Sequence, residues 1–199
     1  MGMNPFQEAA GLIVQFVFGI YMAIVLCRFL LQLARADFYN PLSQAVVKAT
    51  QPLLKPMRRV IPGLAGMDLS SLVLLVALAG IQVLLMQLIL TGGINLSLAS
   101  WLVTAVADAL DLAVTLFFVV IIVLVLISWL QLLGIAGPVG YNPILSVIST
   151  IAGLILNPAS RLLPPLGGTL DLSPMLALLA LYLVRILLVR PLYLLAAGL

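Results

Sequence analysis

Three stretches of this chain, residues 9–27, 69–90 and 112–133, contain no charged side chain at all. A helix needs about 20 apolar residues to cross the hydrocarbon core of a bilayer, and each stretch meets that length. The first stays apolar past Arg28 to residue 34, and a fourth run, 172–197, is interrupted by Arg185, Arg190 and Pro191. A water-soluble fold would have to hide several wholly apolar helices in one small core. Composition points the same way: 64% of the residues are hydrophobic and 8% charged, against about a quarter charged in soluble domains. The expected fold is therefore an all-α polytopic membrane protein with four transmembrane helices.

The few charges set a direction. Arg35, Lys48, Lys55, Arg58 and Arg59 lie between spans one and two, none between spans two and three, and Arg161 alone between spans three and four. The positive-inside rule places both Pro-rich loops in the cytoplasm and both termini outside, with Arg190 a weak dissenter. Residues 1–8 carry no Lys or Arg, so the first span is expected to be a retained helix rather than a cleaved signal peptide. The net charge of +3 does not read as nucleic-acid binding, because the basic residues flank apolar segments without interleaved aromatics. They read as topology and lipid signals.

The chain repeats itself. Tyr39-Asn40-Pro41 matches Tyr141-Asn142-Pro143, and the same offset pairs Pro56 with Pro158, Arg59 with Arg161 and Pro62 with Pro164. One inserted residue later, Asp68-Leu69-Ser70 matches Asp171-Leu172-Ser173. The organisation expected is a first repeat over 1–92, a connecting interfacial segment over 93–111 and a second repeat over 112–199. Each repeat is a spanning helix, a short amphipathic surface helix and a second spanning helix. Two spans separate equivalent positions, so the repeats cross in parallel, and a pseudo-twofold axis along the membrane normal is expected. In the connecting segment, 96–110 is apolar and would make span three too long to cross upright. A break, or a helix lying in the outer interface with Trp101 at headgroup depth, is expected there.

Asn40 and Asn142 read as helix N-caps, each followed by a proline whose missing N–H costs nothing at the first helical position. The surface helix so begun should carry Leu42, Ala45, Val46, Ala49, Leu53 and Met57 on one face and Lys48, Lys55, Arg58 and Arg59 opposite, and lie on the membrane rather than cross it. Pro52 and Pro56 are expected to kink or restart it. Asp68 and Asp171 read as caps of the following spans, with ion or substrate binding as the alternative. The second surface helix, 144–156, has Ser146, Ser149 and Thr150 where the first has cations nearby. Only the first copy looks suited to anionic lipid or an acidic partner.

The motif Asp-Phe-Tyr-Asn-Pro (37–41), then Thr-Gln-Pro (50–52), Pro-Met-Arg-Arg-Val-Ile-Pro (56–62) and Asp68 before an apolar helix, closely resembles the YggT family of bacterial membrane proteins. Ser128-Trp129 and the run 157–164 resemble its second, looser copy. The resemblance implies a small bacterial inner-membrane protein. Its relatives are associated with cytochrome maturation and nucleoid organisation in plastids, and with cell division, osmotic-shock tolerance and potassium uptake in bacteria. It brings no agreed biochemical activity. One departure stands out: the arginine that often precedes Ser-Trp is replaced by apolar residues around Leu124, whereas Arg28 fills that place in the first copy.

Intramembrane polar groups are the remaining candidates. Arg28 can snorkel to the headgroups or form a structural ion pair, with a functional relay as the alternative. Arg185 is deeper, and the repeat places Gln82 at its level in the first copy. Both read as interhelical contacts, with Asp108 or Asp111 as partners near the outer face. Gly80 reads as a packing site, Cys27 as apolar filler with acylation as the alternative. Val139-Gly140-Tyr141 resembles a potassium filter only in part, since Asn142-Pro143 starts a helix instead.

Histidine is absent and cysteine single, which removes the commonest metal ligand and general base. With no nucleophile set or nucleotide-binding fingerprint, neither enzymatic activity nor a cofactor is expected. The reading is a non-enzymatic organiser or assembly factor of the inner membrane. It would dock protein partners or anionic lipid through the basic helix, with Arg161 as the counterpart cation of the second copy. Its partners would be membrane lipids and a membrane protein or a second copy of the chain, not nucleic acid directly. The alternative is an osmotic-stress or potassium-homeostasis protein that acts as a transport component or modulator.

Overall fold

The computed structural model describes residues 4–61, 63, 67–134, 142–162 and 172–199. Asp171, Val139, Gly140, Tyr141, Pro62 and Pro164 lie outside the described residues. The helices are α1 (Pro5–Leu33), α2 (Pro41–Met57), α3 (Leu69–Thr91), α4 (Leu98–Leu132), α5 (Pro143–Leu162), α6 (Ser173–Val184) and α7 (Arg190–Gly198). A π-helical turn, Arg185–Val189, joins the last two. No strand occurs among the described residues.

Local chemistry sets the helix ends. Asn40 and Asn142 each accept an amide two residues on, from Leu42 and Ile144, at 2.9 Å. Asn4 does the same for Phe6 ahead of Pro5, and Gln7 reaches back to the Asn4 amide, so a third Asn-Pro start opens α1. At the other ends the chain turns through left-handed residues: Arg35 (φ 50°) after α1 and Gly134 (φ 73°) after α4. Proline explains the π turn. Pro191 cannot donate to the carbonyl four residues back and its ring crowds that position, so the helix widens by one residue over Arg185–Val189 rather than break.

α1 and α3 are antiparallel, with Gln7 Nε2 donating to the Ile89 carbonyl at 2.9 Å. α4 is antiparallel to α6 and α7, with Ser100 Oγ donating to the Ala196 carbonyl at 2.8 Å. α3 packs on α4, and the core runs through Val25, Leu26 and Leu30 of α1, Leu75 and Ala79 of α3, Ala105 and Ile121 of α4 and Ile151 of α5.

Little of the apolar surface is used internally. In the most apolar windows of α1, α3, α4, α5 and the continuous run Ser173–Gly198, only 17–22% of residues are buried. Phe6, Ile13, Phe16, Met175 and Leu187 are each more than 60% exposed. So large an apolar exterior is incompatible with water and fits lipid as the solvent. These five helices all have the length and apolar character to cross a membrane, where four were expected.

The structure corrects three expectations. No break or separate interfacial helix occurs over 93–111, because α4 runs unbroken for 35 residues, about 52 Å at 1.5 Å per residue. No glycine or proline falls within it, so nothing stops the helix. Trp101 does not stand apart at the helix end but packs against Gly80 in the middle of α3, its Nε1 donating to the Gly80 carbonyl at 2.8 Å. The pseudo-twofold fails too: α3 packs on α4, but α1 makes no contact with α6 or α7, which a closed twofold would require. The helices form an open row, α1–α3–α4–α6/α7.

α2 divides its apolar residues between an inner and an outer side. Its buried residues are Ser43, Val46, Thr50 and Leu54, whereas Ala45, Ala49 and Leu53 are exposed. Lys48, Lys55, Arg58 and Arg59 are exposed as expected. The helix passes through Pro52 and Pro56 without restarting; both rings are exposed, on the side where unpaired carbonyls meet the surroundings.

Candidate functional site

The polar groups of the first unit converge where α1 ends, α2 crosses it and α3 begins. Arg28 sits five residues before the end of α1 and is only 9% exposed. Rather than reaching free past the helix end, it folds under α2. One terminal nitrogen donates to Thr50 Oγ1 at 3.1 Å and to the Val47 carbonyl at 3.2 Å. Thr50 is fully buried and donates its own hydroxyl to the Val46 carbonyl at 2.8 Å, so it is free to accept from Arg28. The Val47 carbonyl has two lone pairs, so it can accept from Arg28 and still belong to the helix; the carbonyl that Pro52 leaves without an amide is that of Lys48, one residue on.

Asp68 occupies the N-cap position of α3, but its carboxylate does not cap a backbone amide. That expectation is corrected: Oδ2 instead pairs with the Arg58 guanidinium and accepts the Ser71 hydroxyl at 2.7 Å. Two charge-assisted or hydroxyl bonds to a carboxylate that is 5% exposed outweigh a single amide. Burial pushes the Asp68 carboxyl up, but hydrogen bonds from Arg58 and Ser71 and the charges of Arg58 and Arg28 hold it below the ordinary carboxylate range. The pair ties the end of α2 to the start of α3. Ser70 adds a second tie, donating to the Ile61 carbonyl at 3.0 Å.

Between these groups lies a cavity of about 540 Å³, lined by Arg28, Ser43, Arg58 and Asp68 on its polar side and by Leu31, Phe38 and Met67 among its apolar walls. A second cavity of about 310 Å³ shares Arg28 and Arg58 and adds Lys55 and Arg59. Ser43 and Thr50 had not been singled out from sequence; the Thr-Gln-Pro motif was the one signal that touched either.

The other candidates fall elsewhere. Arg185 pairs with Asp111 of α4 at 2.8 Å, one of the two aspartates foreseen for it. Asp108, one turn earlier, accepts the Tyr193 hydroxyl at 2.6 Å, a contact that sequence did not reveal. Gln82 is not brought to Arg185, because α3 and α6–α7 each pack on α4 and not on one another. Lys48 stands on the outer edge of α2, and Arg161 is exposed at the end of α5. Cys27 is partly buried against the core. Among the described residues no three potential metal-ligating side chains cluster.

The two units meet at their middle helices, where Asn40 Nδ2 donates to the Pro143 carbonyl at 2.8 Å. Their polar contents differ. Position for position, Ser43, Thr50 and Arg58 become Leu145, Ala152 and Ser160. Five residues before the end of α4, where α1 has Arg28, stands Ile127. Among the described residues, the buried cationic cavity is lined by the first unit alone.

Comparison with known proteins agrees with the doubled organisation. The CCB3/YggT family model matches the chain twice, over residues 7–89 and 103–192. An uncharacterised protein of Pseudomonas aeruginosa is 46% identical over 193 residues, 96% of this chain and 91% of the relative. The uncharacterised protein YggT of Escherichia coli is 36% identical over 169 residues, 85% and 83% of the two chains. A third uncharacterised relative, from Vibrio alginolyticus, is 32% identical over 167 residues, 84% and 86%. No solved structure matches. Two family matches in tandem, covering most of a chain whose helices suit a multi-pass membrane protein, place it in the CCB3/YggT family.

Proposed function

We propose that this chain is a non-enzymatic organiser or assembly factor of the bacterial inner membrane, which docks protein partners or anionic lipid through the cationic edge of α2. In this reading α1, α3, α4 and α6–α7 cross the bilayer. α2 and α5 lie at its cytoplasmic face, and both termini are periplasmic. Support for setting α5 apart from the spans comes from its place opposite α2 and from its mean hydropathy of 1.5, the lowest of the five candidate spans.

The observation that carries the proposal is the division of α2 into three faces. Ser43, Val46, Thr50 and Leu54 face the protein; Ala45, Ala49 and Leu53 are exposed and apolar; Lys48 and Lys55 are exposed and charged on a third side, with exposed Arg59 in the turn just after the helix. A helix with one protein-bound face, one greasy free face and one cationic free face is suited to the bilayer surface, its lysines and arginine at phosphate depth. Anionic cytoplasmic lipid or an acidic partner segment complements such an edge.

The test is a Lys48→Glu/Lys55→Glu/Arg59→Glu variant; Arg58 is left intact because it holds Asp68. Cations near an anionic surface are worth about 1 kcal/mol each, so recovery of cross-linked partners and co-purified anionic lipid should fall about tenfold or more. Unchanged recovery from a stably expressed variant would refute the proposal.

A further inference from the structure

We infer that the cavity behind α2 is a binding site for the phosphate headgroup of one anionic phospholipid, with a stoichiometry of one per chain. The inference rests on the reading that the chain is solvated by lipid, but it concerns side chains other than the outer edge of α2.

Two hydrogen-bond donors in the cavity wall are buried and unspent. Arg28 Nε has no partner, although the same guanidinium is anchored to Thr50 and Val47, and Ser43 Oγ has none either. Their residues are 9% and 4% exposed, and both line the same space. Leaving a buried donor unmade costs about 1–3 kcal/mol, more when it is charged. Two such donors, closed off as the side chains now stand but carried by residues that line one cavity, point to an acceptor taken up there as those side chains turn towards it. Charge identifies the acceptor's sign: Arg28 and Arg58 contribute two positive charges and Asp68 one negative, leaving one cation uncompensated.

Shape and depth identify its class. Arg28 lies about one and a half turns inside the end of α1, at the level where headgroups meet acyl chains. Leu31, Phe38, Val47 and Met67 make part of the lining apolar. At about 540 Å³ the cavity is in the range of small-molecule sites, about 300–1,000 Å³, and far exceeds a bare ion. A phosphodiester accepts from an arginine and a serine at once, and its glycerol and first methylenes suit the apolar walls. Lys55 and Arg59 in the adjoining cavity extend positive charge towards the same point. The second unit, with Ile127, Leu145, Ala152 and Ser160 at the corresponding positions, has none of these donors, hence the single site.

The experiment is native mass spectrometry of the full chain released from nanodiscs of phosphatidylethanolamine with phosphatidylglycerol, repeated with inorganic phosphate in place of phosphatidylglycerol. The wild type should retain one phosphatidylglycerol per chain in preference to phosphatidylethanolamine. Ser43→Ala and Arg28→Lys should each lower its retention about tenfold, while Arg190→Gln, an exposed cation outside both the cavity and α2, should not. Ser43→Ala removes one oxygen and keeps the fold testable if Arg28→Lys unfolds. Equal retention in wild type and Ser43→Ala, two retained lipids per chain, or equally strong displacement by inorganic phosphate would each overturn the inference. Lipid loss on Ser43→Ala with partner capture unaffected by the triple charge reversal would leave this site standing and remove the docking edge.

Discussion

Arg28 and Asp68 show why side chains read singly from a sequence change meaning in the fold. Arg28 was legible as an intramembrane cation near a helix end, but its partner Thr50 lies 22 residues on and carries no charge to advertise it. Asp68 was legible as a cap because aspartate before an apolar run usually is one. Its ion pair with Arg58 joins residues 10 apart in sequence, a separation at which no local rule applies. The pair makes a pH prediction. The Asp68 carboxyl is held below its ordinary value, so its contribution to stability is complete above the unfolded carboxylate pKa of about 3.9 and is lost as pH falls through the lower folded value. Thermal unfolding in detergent, followed by circular dichroism from about pH 6 down to about pH 3, should show that loss in the wild type. Asp68→Asn should be less stable at neutral pH by about 1 kcal/mol, a modest figure because Arg58 is 42% exposed and screened. The variant should lack the acid-side decline from this group; an identical pH profile would contradict the assignment.

Elements were legible wherever a local signal ends them. Asn-Pro starts and uncharged runs located α1, α2, α3 and α5. The length of the apolar stretch after residue 96 argued for a break in α4, but length alone does not break a helix, and no glycine or proline is there to do it. The inner side of α2 was not legible because Ser43 and Thr50, which share it with Val46 and Leu54, look polar, and only the fold shows them turned inward. Gly80 is where α3 and α4 lock together. A Cβ there would come within 2.7 Å of Trp101 Cζ2, and that ring is fixed by its bond to the Gly80 carbonyl. Gly80→Ala should therefore lower stability by about 1–3 kcal/mol despite alanine's better helix propensity. Gly19→Ala, with open space around its Cβ, should not. Comparing their melting temperatures in detergent checks the difference; equal melting would show that Trp101 moves aside at no cost.

At the scale of the molecule, the sequence repeat survives as two antiparallel pairs of long helices, each bridged by a shorter middle helix. The symmetry does not survive, because an open row of helices lets the units diverge: one keeps a buried arginine, a serine and an arginine–aspartate pair, while the other has Ile127, Leu145 and Ser160 where the first has Arg28, Ser43 and Arg58. Such asymmetry suits a molecule with one lipid-facing, cation-bearing site and a second unit that serves as its structural partner. The whole account depends on these helices crossing lipid with the α2 cations on the cytoplasmic side. Cys27 is the single cysteine, so a Cys27→Ser background makes each new cysteine a lone reporter. In intact cells, a membrane-impermeant maleimide should label Asn4→Cys and leave Lys55→Cys unlabelled until the inner membrane is opened. Labelling of Lys55→Cys from outside, or recovery of the unmodified chain as a detergent-free soluble monomer, would contradict it.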